Sequence, residues 1–254
     1  MTPEIRITAG ITELHRIAAC LFAEAAQASV KRKGFFTVAL SGGRTPSGLY
    51  ALLGEDPSLK EAVPWEQIRF FWSDERCVPP DHADNNYRMA SEAMLSKVPV
   101  PPSNIFRIRG EDTDPSAAAA EYEETTRNAL CPDMLDAPSF DLILLGMGTD
   151  GHTASLFPGS ETLSEQGRLV VAAWVERLKT CRITFTLPLI NAARHVIFLV
   201  SGDDKAEALQ KVLEAPPDVE PLPAALVRPV HGKLTWVVDR AAARLLKSGV
   251  PQTA

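Results

Sequence analysis

Residues 35–53 read FFTVALSGGRTPSGLYALL, and this stretch joins a predicted strand, Phe35–Leu40, to a predicted helix, Pro46–Leu53. A short apolar run with aromatic and β-branched residues is typical of a strand that is buried on both faces. Pro46 suits the first position of a helix, because proline lacks the N–H that a helix leaves unpaired there. A buried strand that passes through a tight turn into a helix is the repeating unit of parallel α/β sheets.

The same alternation continues along the chain. Further predicted strands are Ile68–Trp72, Phe140–Leu145, Leu169–Trp174, Arg182–Thr186, Val196–Val200 and Leu234–Val238. Further predicted helices are Thr12–Arg32, Asn86–Lys97, Pro115–Leu130, Asp203–Leu213 and Arg240–Lys247. Two proline-rich stretches are predicted to be surface loops and not domain boundaries, Val98–Ser103 and Ala215–Pro223. The predicted fold class is α/β, a single domain over residues 1–254 with an open, mainly parallel sheet and helices on both faces.

The composition limits the partners that this chain can have. The 254 residues carry a formal net charge of −6, and an acidic protein lacks the basic surface that binds nucleic acids and anionic membranes. No apolar run approaches the roughly 18 residues of a membrane span. The apolar segment Ile17–Val30 is followed by the basic residues Lys31–Lys33, whereas a signal peptide has its basic residues first. We therefore expect a cytoplasmic protein that binds neither nucleic acid nor membrane.

The cysteines favour the same compartment. They are Cys20, Cys77, Cys131 and Cys181. No two of them form a C-x-x-C pair, so their spacing indicates neither a metal site nor a disulfide framework. The simplest interpretation is reduced thiols in a cytoplasmic protein.

The turn after the first predicted strand has the features of a phosphate site. Gly42 and Gly43 let the backbone approach an anion. Ser41 and Thr45 add hydroxyl donors, and Arg44 adds a positive charge. The N-terminus of the following helix supplies N–H groups and a partial positive charge. A plain glycine turn with a solvated arginine is the alternative, and the spacing is not that of a Walker A loop.

Charged residues follow the second predicted strand, in the loop Ser73–Arg76. In parallel sheets the ligand lies beyond the carboxyl ends of the strands. Charges at that position are costly to order unless they are paired or meet a ligand. The alternative is that Asp74 and Arg76 pair only to fix the loop. Downstream, Asn85 or Asn86 could simply cap the next helix.

The segment Phe140–Pro158 is the most informative one. Its glycines Gly146, Gly148 and Gly151 fit G-x-G-x-x-G, the fingerprint of dinucleotide-binding folds. That fingerprint should open directly into a long helix, whereas Phe157–Gly159 interrupts within a turn or two. The sequence therefore disfavours a nicotinamide-dependent oxidoreductase and predicts a glycine-lined loop beside a pocket.

This loop presents Asp150 and His152. Histidine accepts and returns protons near neutral pH, and an aspartate two residues away could orient the imidazole. A loop histidine with a structural hydrogen bond is the alternative, but function concentrates on loops that follow buried strands. Two further cations are Arg182, at the start of a strand, and Lys205, between a strand and its helix. Either one taken alone is better explained as a surface charge.

Together these motifs resemble the 6-phosphogluconolactonase family, within the broader glucosamine-6-phosphate isomerase/deaminase-like group. The matching segments are Ser41–Pro46, Ser73–Arg76, Asn86–Arg88, Gly146–Pro158, Arg182–Thr184, Lys205–Ala206, and Trp236 with Asp239. The likeness spans almost the whole chain. Each motif alone is weak or moderate, whereas their joint order and spacing are specific.

The resemblance implies a Rossmann-like fold similar to glucosamine-6-phosphate deaminase. It implies that the chain hydrolyses 6-phospho-D-glucono-1,5-lactone, a step of the oxidative pentose phosphate pathway, without a metal or cofactor. His152 is then the base that activates water, with Asp150 beside it, and Arg76 lies beside the lactone. The phosphate is expected to contact Ser41, Gly42, Gly43, Arg44, Thr45, Arg182 and Lys205, and the lactone side to contact Asp74, Asn86 and Gly148. The expected partner is this small sugar-phosphate lactone, bound by a monomer or a weak homodimer.

Two rival functions stay open at this point, a deaminase/isomerase of the same group and a non-catalytic sugar-phosphate-binding protein. After the shared Asp-Gly-His, deaminases continue with Ile-Ala-Phe-Asn-Glu-Pro, whereas Thr153–Pro158 reads TASLFP and lacks the acid needed for ring opening. Binding alone would need only the phosphate cluster, so the presence of His152 and Asp150 beside Arg76 speaks against the binding protein. The stretch Leu178–Cys181 departs from the family's Pro-rich pattern, which leaves the shape of that loop open.

Overall fold

The computed structural model describes residues 3–131, 138–216 and 218–247. The strands are β1 (Glu4–Thr8), β2 (Phe36–Leu40), β3 (Ile68–Trp72), β4 (Asp74–Arg76), β5 (Leu142–Leu145), β6 (Val170–Val175), β7 (Thr180–Phe185), β8 (His195–Val200) and β9 (Lys233–Asp239). The helices are α1 (Ile11–Lys33), α2 (Arg44–Glu55), α3 (Pro57–Ala62), α4 (Asn86–Ala93), α5 (Pro115–Leu130), α6 (Leu187–Asn191) and α7 (Ala206–Glu214). None of the helices in these ranges is long and apolar enough to cross a bilayer.

Six strands form one parallel sheet in the order β1-β9-β8-β5-β2-β3. The predicted fold class, an open and mainly parallel sheet in an α/β protein, is confirmed. Strands β4, β7 and β6 form a second, antiparallel sheet. Buried apolar residues of both sheets, among them Val170, Ile183 and Phe185 of the second sheet, belong to one hydrophobic cluster.

Two predicted strands, Leu169–Trp174 and Arg182–Thr186, correspond to β6 and β7 and do not join the parallel sheet. The reason lies in their connection. Only a short 3₁₀ turn, Glu176–Leu178, separates them, and so short a link can join antiparallel strands but not parallel ones, which need a crossover of a dozen or more residues.

Helices cover both faces of the parallel sheet. On one face, Phe36 of β2 packs edge-on against Phe22 of α1, with ring centroids 5.6 Å apart. Phe71 of β3 pairs with Ala39, which projects from the face opposite to Phe36 because side chains alternate along a strand. The ring of Phe71 lies 6.4 Å from that of Tyr122 in α5, so α5 covers this second face.

Some helix boundaries differ from prediction for local reasons. Helix α2 begins at Arg44, so Pro46 is its third residue and not its first; the missing N–H is still one of the four that a helix start leaves unpaired. Arg240–Lys247 forms turns and not a helix, although the Asp239 carboxylate accepts the Ala242 N–H at 2.8 Å as a helix N-cap would. The predicted helix Asn86–Lys97 breaks after Ala93 into a separate 3₁₀ turn. The predicted loop Ala215–Pro223 includes position 217, which lies outside the described residues.

Candidate active site

A cleft of about 610 Å³ lies beyond the carboxyl ends of the parallel strands. This is where ligands bind in open α/β sheets. The predicted site residues on its wall are Ser41, Gly42, Gly43, Arg44, Thr45, Asp74, Arg76, Gly148, His152 and Lys205. Three predicted residues, Asp150, Asn86 and Arg182, lie off this wall.

The glycine turn between β2 and α2 forms one end of the cleft. Gly43, the residue before α2, has φ of 104°, a left-handed conformation that favours glycine. The turn is fixed from below by Tyr50, whose hydroxyl accepts the N–H of Ser41 and donates to its carbonyl, both at 3.0 Å. The Ser41 hydroxyl is itself buried and has no hydrogen-bond partner. A buried hydroxyl without a partner on a cleft wall is what an anion ligand would satisfy.

Asn86 supports this turn from behind. A Cβ added to Gly42 would lie 2.0 Å from the Asn86 Oδ1 atom. The backbone at position 42 is therefore so close to the Asn86 side chain that only glycine fits there. The Asn86 Nδ2 atom donates to the Asp74 carbonyl at 2.9 Å. Asn86 therefore connects the glycine turn to β4 and does not line the cleft.

His152 faces the cleft from the loop after β5. Its Nδ1 atom lies 2.5 Å from the Asp150 Oδ1 atom, which leaves Nε2 as the nitrogen available to water. Burial raises the pKa of the Asp150 carboxyl, but its hydrogen bonds with His152, together with the charge of Arg177, outweigh burial and hold this pKa below its ordinary value. A Cβ on Gly148 would fall 2.0 Å from the His152 Nδ1 atom. The glycine at position 148 is what makes room for the ring.

Two residues that sequence reasoning missed hold this pair. Arg177, in the turn between β6 and β7, binds the second Asp150 oxygen, Oδ2, at 2.9 Å. Its guanidinium also lies over the Phe157 ring, 5.3 Å from the centroid. Phe157 in turn stacks on His152 at a centroid distance of 4.4 Å. Phe157 lies only five positions after His152, so its place in the same segment could have suggested this contact. Arg177 is brought here by the β6–β7 hairpin, and the sequence around His152 gives no sign of it.

Arg76 and Arg182 are directly opposite each other on β4 and β7, so their side chains share one face. Arg76 donates to the Asp84 carbonyl at 2.6 Å, and the Nε atoms of both arginines are buried without a hydrogen-bond partner. Burial, and next the charge of Arg76, lower the pKa of the Arg182 guanidinium. Arg182 thus stands beside Arg76, off the cleft wall, and adds positive potential there.

Asp74 is held by a hydrogen bond with Ser155, and Arg76 bonds to the Asp84 carbonyl, so the pairing of Asp74 with Arg76 that the sequence left open is not what fixes the loop. The Asp74 Oδ2 atom accepts the Ser155 hydroxyl at 2.7 Å, and the residue is buried. Its neighbour Glu75 is fully buried and accepts three backbone N–H groups, from Arg76, Asn86 and Tyr87, at 2.7–2.9 Å. Burial raises the pKa of Glu75 to about 7, against the opposing effect of those hydrogen bonds. Nothing in the loop sequence distinguished Glu75 from its polar neighbours.

The loop between β8 and α7 forms another part of the cleft wall. Lys205 lines it together with Ser201 and Gly202, which the sequence analysis did not select. Asp239 holds this loop by accepting the Ser201 hydroxyl at 2.5 Å and the Gly202 N–H at 3.2 Å. The Lys205 Nζ atom lies 3.5 Å from the Asp204 Oδ2 atom. A protein of net charge −6 thus concentrates cations along one cleft.

Comparison with known proteins identifies the family and supports the fold. Residues 11–236 match the family model described as glucosamine-6-phosphate isomerases/6-phosphogluconolactonase. A 6-phosphogluconolactonase from Nostoc sp. is 41% identical over 214 residues, which are 84% of this chain and 86% of that protein. The structure of 6-phosphogluconolactonase from Trypanosoma cruzi is 32% identical with a TM-score of 0.84, covering 98% of this chain and 99% of that one. A monomeric glucosamine-6-phosphate deaminase, with a TM-score of 0.80 at 23% identity over 95% of this chain and 99% of that one, shares the fold.

Proposed function

This chain belongs to the glucosamine-6-phosphate isomerase/6-phosphogluconolactonase family, and from that premise we propose that it hydrolyses 6-phospho-D-glucono-1,5-lactone to 6-phospho-D-gluconate. The observation that carries the proposal is one cleft with an aspartate-bound histidine, His152, on the same wall as Arg44, Arg76 and Lys205. Lactone hydrolysis needs an activated water, a charge for the developing oxyanion, and a hold on the substrate. The cleft offers a group for each task within one chain, so a monomer suffices.

The phosphate is held at the glycine turn. The N–H groups at the start of α2 point their partial positive charge at the anion, and Arg44 and Lys205 add full charges. The Ser41 hydroxyl, which has no partner in the protein, supplies a further donor. Holding the phosphate here fixes where the lactone carbonyl can lie, which is how remote binding contributes to reactivity.

His152 serves as the base. Asp150 holds Nδ1, so Nε2 takes a proton from water as the oxygen of that water attacks C1 of the lactone. Arg76 stabilises the oxyanion, and Arg182 behind it raises the local positive potential. His152 then returns the proton to the ring oxygen as the C1–O bond breaks, which yields the open acid.

The deaminase alternative lacks a suitable acid. Two carboxylates lie on the cleft wall. Asp74 is buried and accepts a hydrogen bond from Ser155, and Asp204 lies beside Lys205, where the phosphate binds. Neither takes the place of the glutamate that deaminases carry after the shared Asp-Gly-His. The non-catalytic alternative gives no reason for the His152–Asp150 contact.

The test is hydrolysis of freshly made 6-phosphoglucono-δ-lactone, followed by proton release above the uncatalysed rate. Glucosamine 6-phosphate, assayed in parallel for ammonia release, distinguishes the deaminase. We expect rapid proton release and no ammonia. Ammonia release would establish the deaminase, and activity on neither substrate would leave a binding protein and overturn the proposal.

A further inference from the structure

Two cysteines that are far apart in the sequence meet beside the arginine pair. Arg76 and Arg182 are the last paired residues in the ladder between β4 and β7. The next position places Cys77 opposite Cys181, and the Cys77 N–H donates to the Cys181 carbonyl at 3.3 Å. The ladder therefore extends by one hydrogen-bonded pair, and that pair consists of two cysteines.

The geometry of this pair suits a covalent bond. Directly opposite residues in a hydrogen-bonded antiparallel pair have Cα atoms about 5.5 Å apart and side chains on the same face. Disulfides span Cα distances of about 4.4–6.8 Å. Next to burial, the neighbouring Cys181 thiol raises the pKa of Cys77, as expected for two adjacent sulfurs. Both residues are partly exposed, and no disulfide is present among the described residues.

We propose that Cys77 and Cys181 are a dithiol site that a small disulfide oxidant, such as glutathione disulfide, converts reversibly into an intramolecular disulfide. The Cys181 sulfur attacks the oxidant as the thiolate and expels one glutathione thiolate, which leaves a mixed disulfide. Cys77 then loses its proton and displaces the second glutathione. Two thiols of the protein are oxidised, and one glutathione disulfide is reduced to two molecules of glutathione.

The environment of the two sulfurs sets this order. Burial, with the neighbouring thiol as a further cause, raises the pKa of Cys77 to about 12, and a thiol attacks only as the thiolate. Cys77 is therefore the poorer first nucleophile. Its contact with Cys181 makes it the resolving thiol, because a mixed disulfide on Cys181 forms within its reach.

The bond would act as a redox-dependent staple. It would join the end of β4, a strand of only three residues, to β7. Because neighbouring side chains along a strand point to opposite faces, the bond would lie on the face opposite to Arg76. It would also close a loop of about 100 residues, and cross-links of that span reduce the entropy of the unfolded chain. The oxidised protein should resist heat better than the reduced one.

The experiment treats the purified full chain with glutathione disulfide and then with dithiothreitol. We expect the oxidised protein to lose the mass of two hydrogen atoms and to yield a linked peptide pair that contains Cys77 and Cys181. The thermal midpoint should rise by roughly 5 °C or more. Both changes should reverse on reduction.

Variants separate this pair from general thiol oxidation. Cys77→Ser and Cys181→Ser should each abolish the mass loss and the thermal shift, while Cys20→Ser, an exposed residue of α1, should retain both. A wild-type protein that keeps its thiols, that stops at a glutathione adduct, or that links Cys20 or Cys131 would overturn the proposal. The thermal midpoints of the reduced variants show whether each has folded.

Discussion

At the scale of single residues, the proposed hydrolysis depends first on His152. Replacing it with alanine removes the group that accepts the proton of water but none of the phosphate contacts. We expect His152→Ala to lower kcat by roughly a hundredfold or more, while the affinity for 6-phosphogluconate stays within about threefold of wild type. His231→Ala, at an exposed histidine off the cleft wall, is the matched control. Unchanged turnover in His152→Ala would remove this residue from the mechanism.

Gly148 gives a second test at this scale, because it can displace the histidine without deleting it. In Gly148→Ala the new Cβ would fall 2.0 Å from the His152 Nδ1 atom and 2.5 Å from the Asp150 Oδ1 atom. The ring must move, and we expect kcat to fall at least tenfold, since small displacements of catalytic groups are costly. Gly146→Ala, whose Cβ meets no atom within 4 Å, should lose far less activity. Equal losses in both variants would point to a stiffened loop.

The residue scale also shows how far sequence reasoning reaches. His152 and Asp150 are two positions apart in a loop after a buried strand, so a local pattern was enough to select them. Arg177 binds the Asp150 carboxylate from the β6–β7 hairpin. No spacing between residues near Asp150 in the sequence indicates that contact. Glu75 was missed for a different reason, because its burial depends on how α4 packs against β4.

At the scale of elements, Glu75 couples β4 to the start of α4. Its pKa is raised to about 7 from an ordinary 4.5, mainly by burial. A raised carboxyl pKa makes its contribution to stability greatest below about pH 4.5 and lost as the pH rises through about 7. Glu75→Gln stays neutral at every pH, so its free energy of unfolding should fall less than that of wild type between pH 5 and pH 8.

Urea titrations at the two pH values measure this difference. Glu111→Gln, at a carboxyl whose pKa is lowered by its hydrogen bond with Arg107, is the matched control and should not flatten the dependence. An identical loss of stability in wild type and Glu75→Gln would show that Glu75 is not protonated in the folded protein.

Prediction succeeded for elements wherever the pattern was local. The β2–α2 unit follows from an apolar run, two glycines and a helical period within residues 35–53, and the parallel sheet follows from repeats of such units. The second sheet was missed because β4 has only three residues, too few for a pattern. It pairs with β7 only after folding, since about 100 residues separate Arg76 from Arg182. Strand pairing depends on packing between residues that are far apart in the sequence. The local hydrophobic pattern does not encode it.

At the scale of the whole molecule, the distribution of charge allows phosphate binding to be tested separately from hydrolysis of the lactone. The chain is acidic overall, yet Arg44, Arg76 and Lys205 share one cleft. Lys205→Met removes a charge from the phosphate end, and a charge-assisted contact contributes about 1.5–3 kcal/mol. We expect the KM for the phosphorylated lactone to rise roughly tenfold or more.

The unphosphorylated glucono-δ-lactone provides the comparison for this variant. Its kcat/KM should be nearly the same in wild type and Lys205→Met, because it has no group for Lys205 to bind. Lys211→Met, which removes an exposed charge from α7, the helix that follows Lys205, is the matched control. An equal loss on both lactones would show that Lys205 supports the structure of the cleft and not the phosphate.

In the proposed function, loops from distant parts of the chain hold the two ends of one sugar acid. A crystal structure with bound 6-phospho-D-gluconate measures this directly. We predict the phosphate at the N-terminus of α2 between Arg44 and Lys205, and the C1 carboxylate within hydrogen-bonding distance of the His152 Nε2 atom and Arg76. A ligand bound the other way round, or with C1 out of reach of His152, would contradict it.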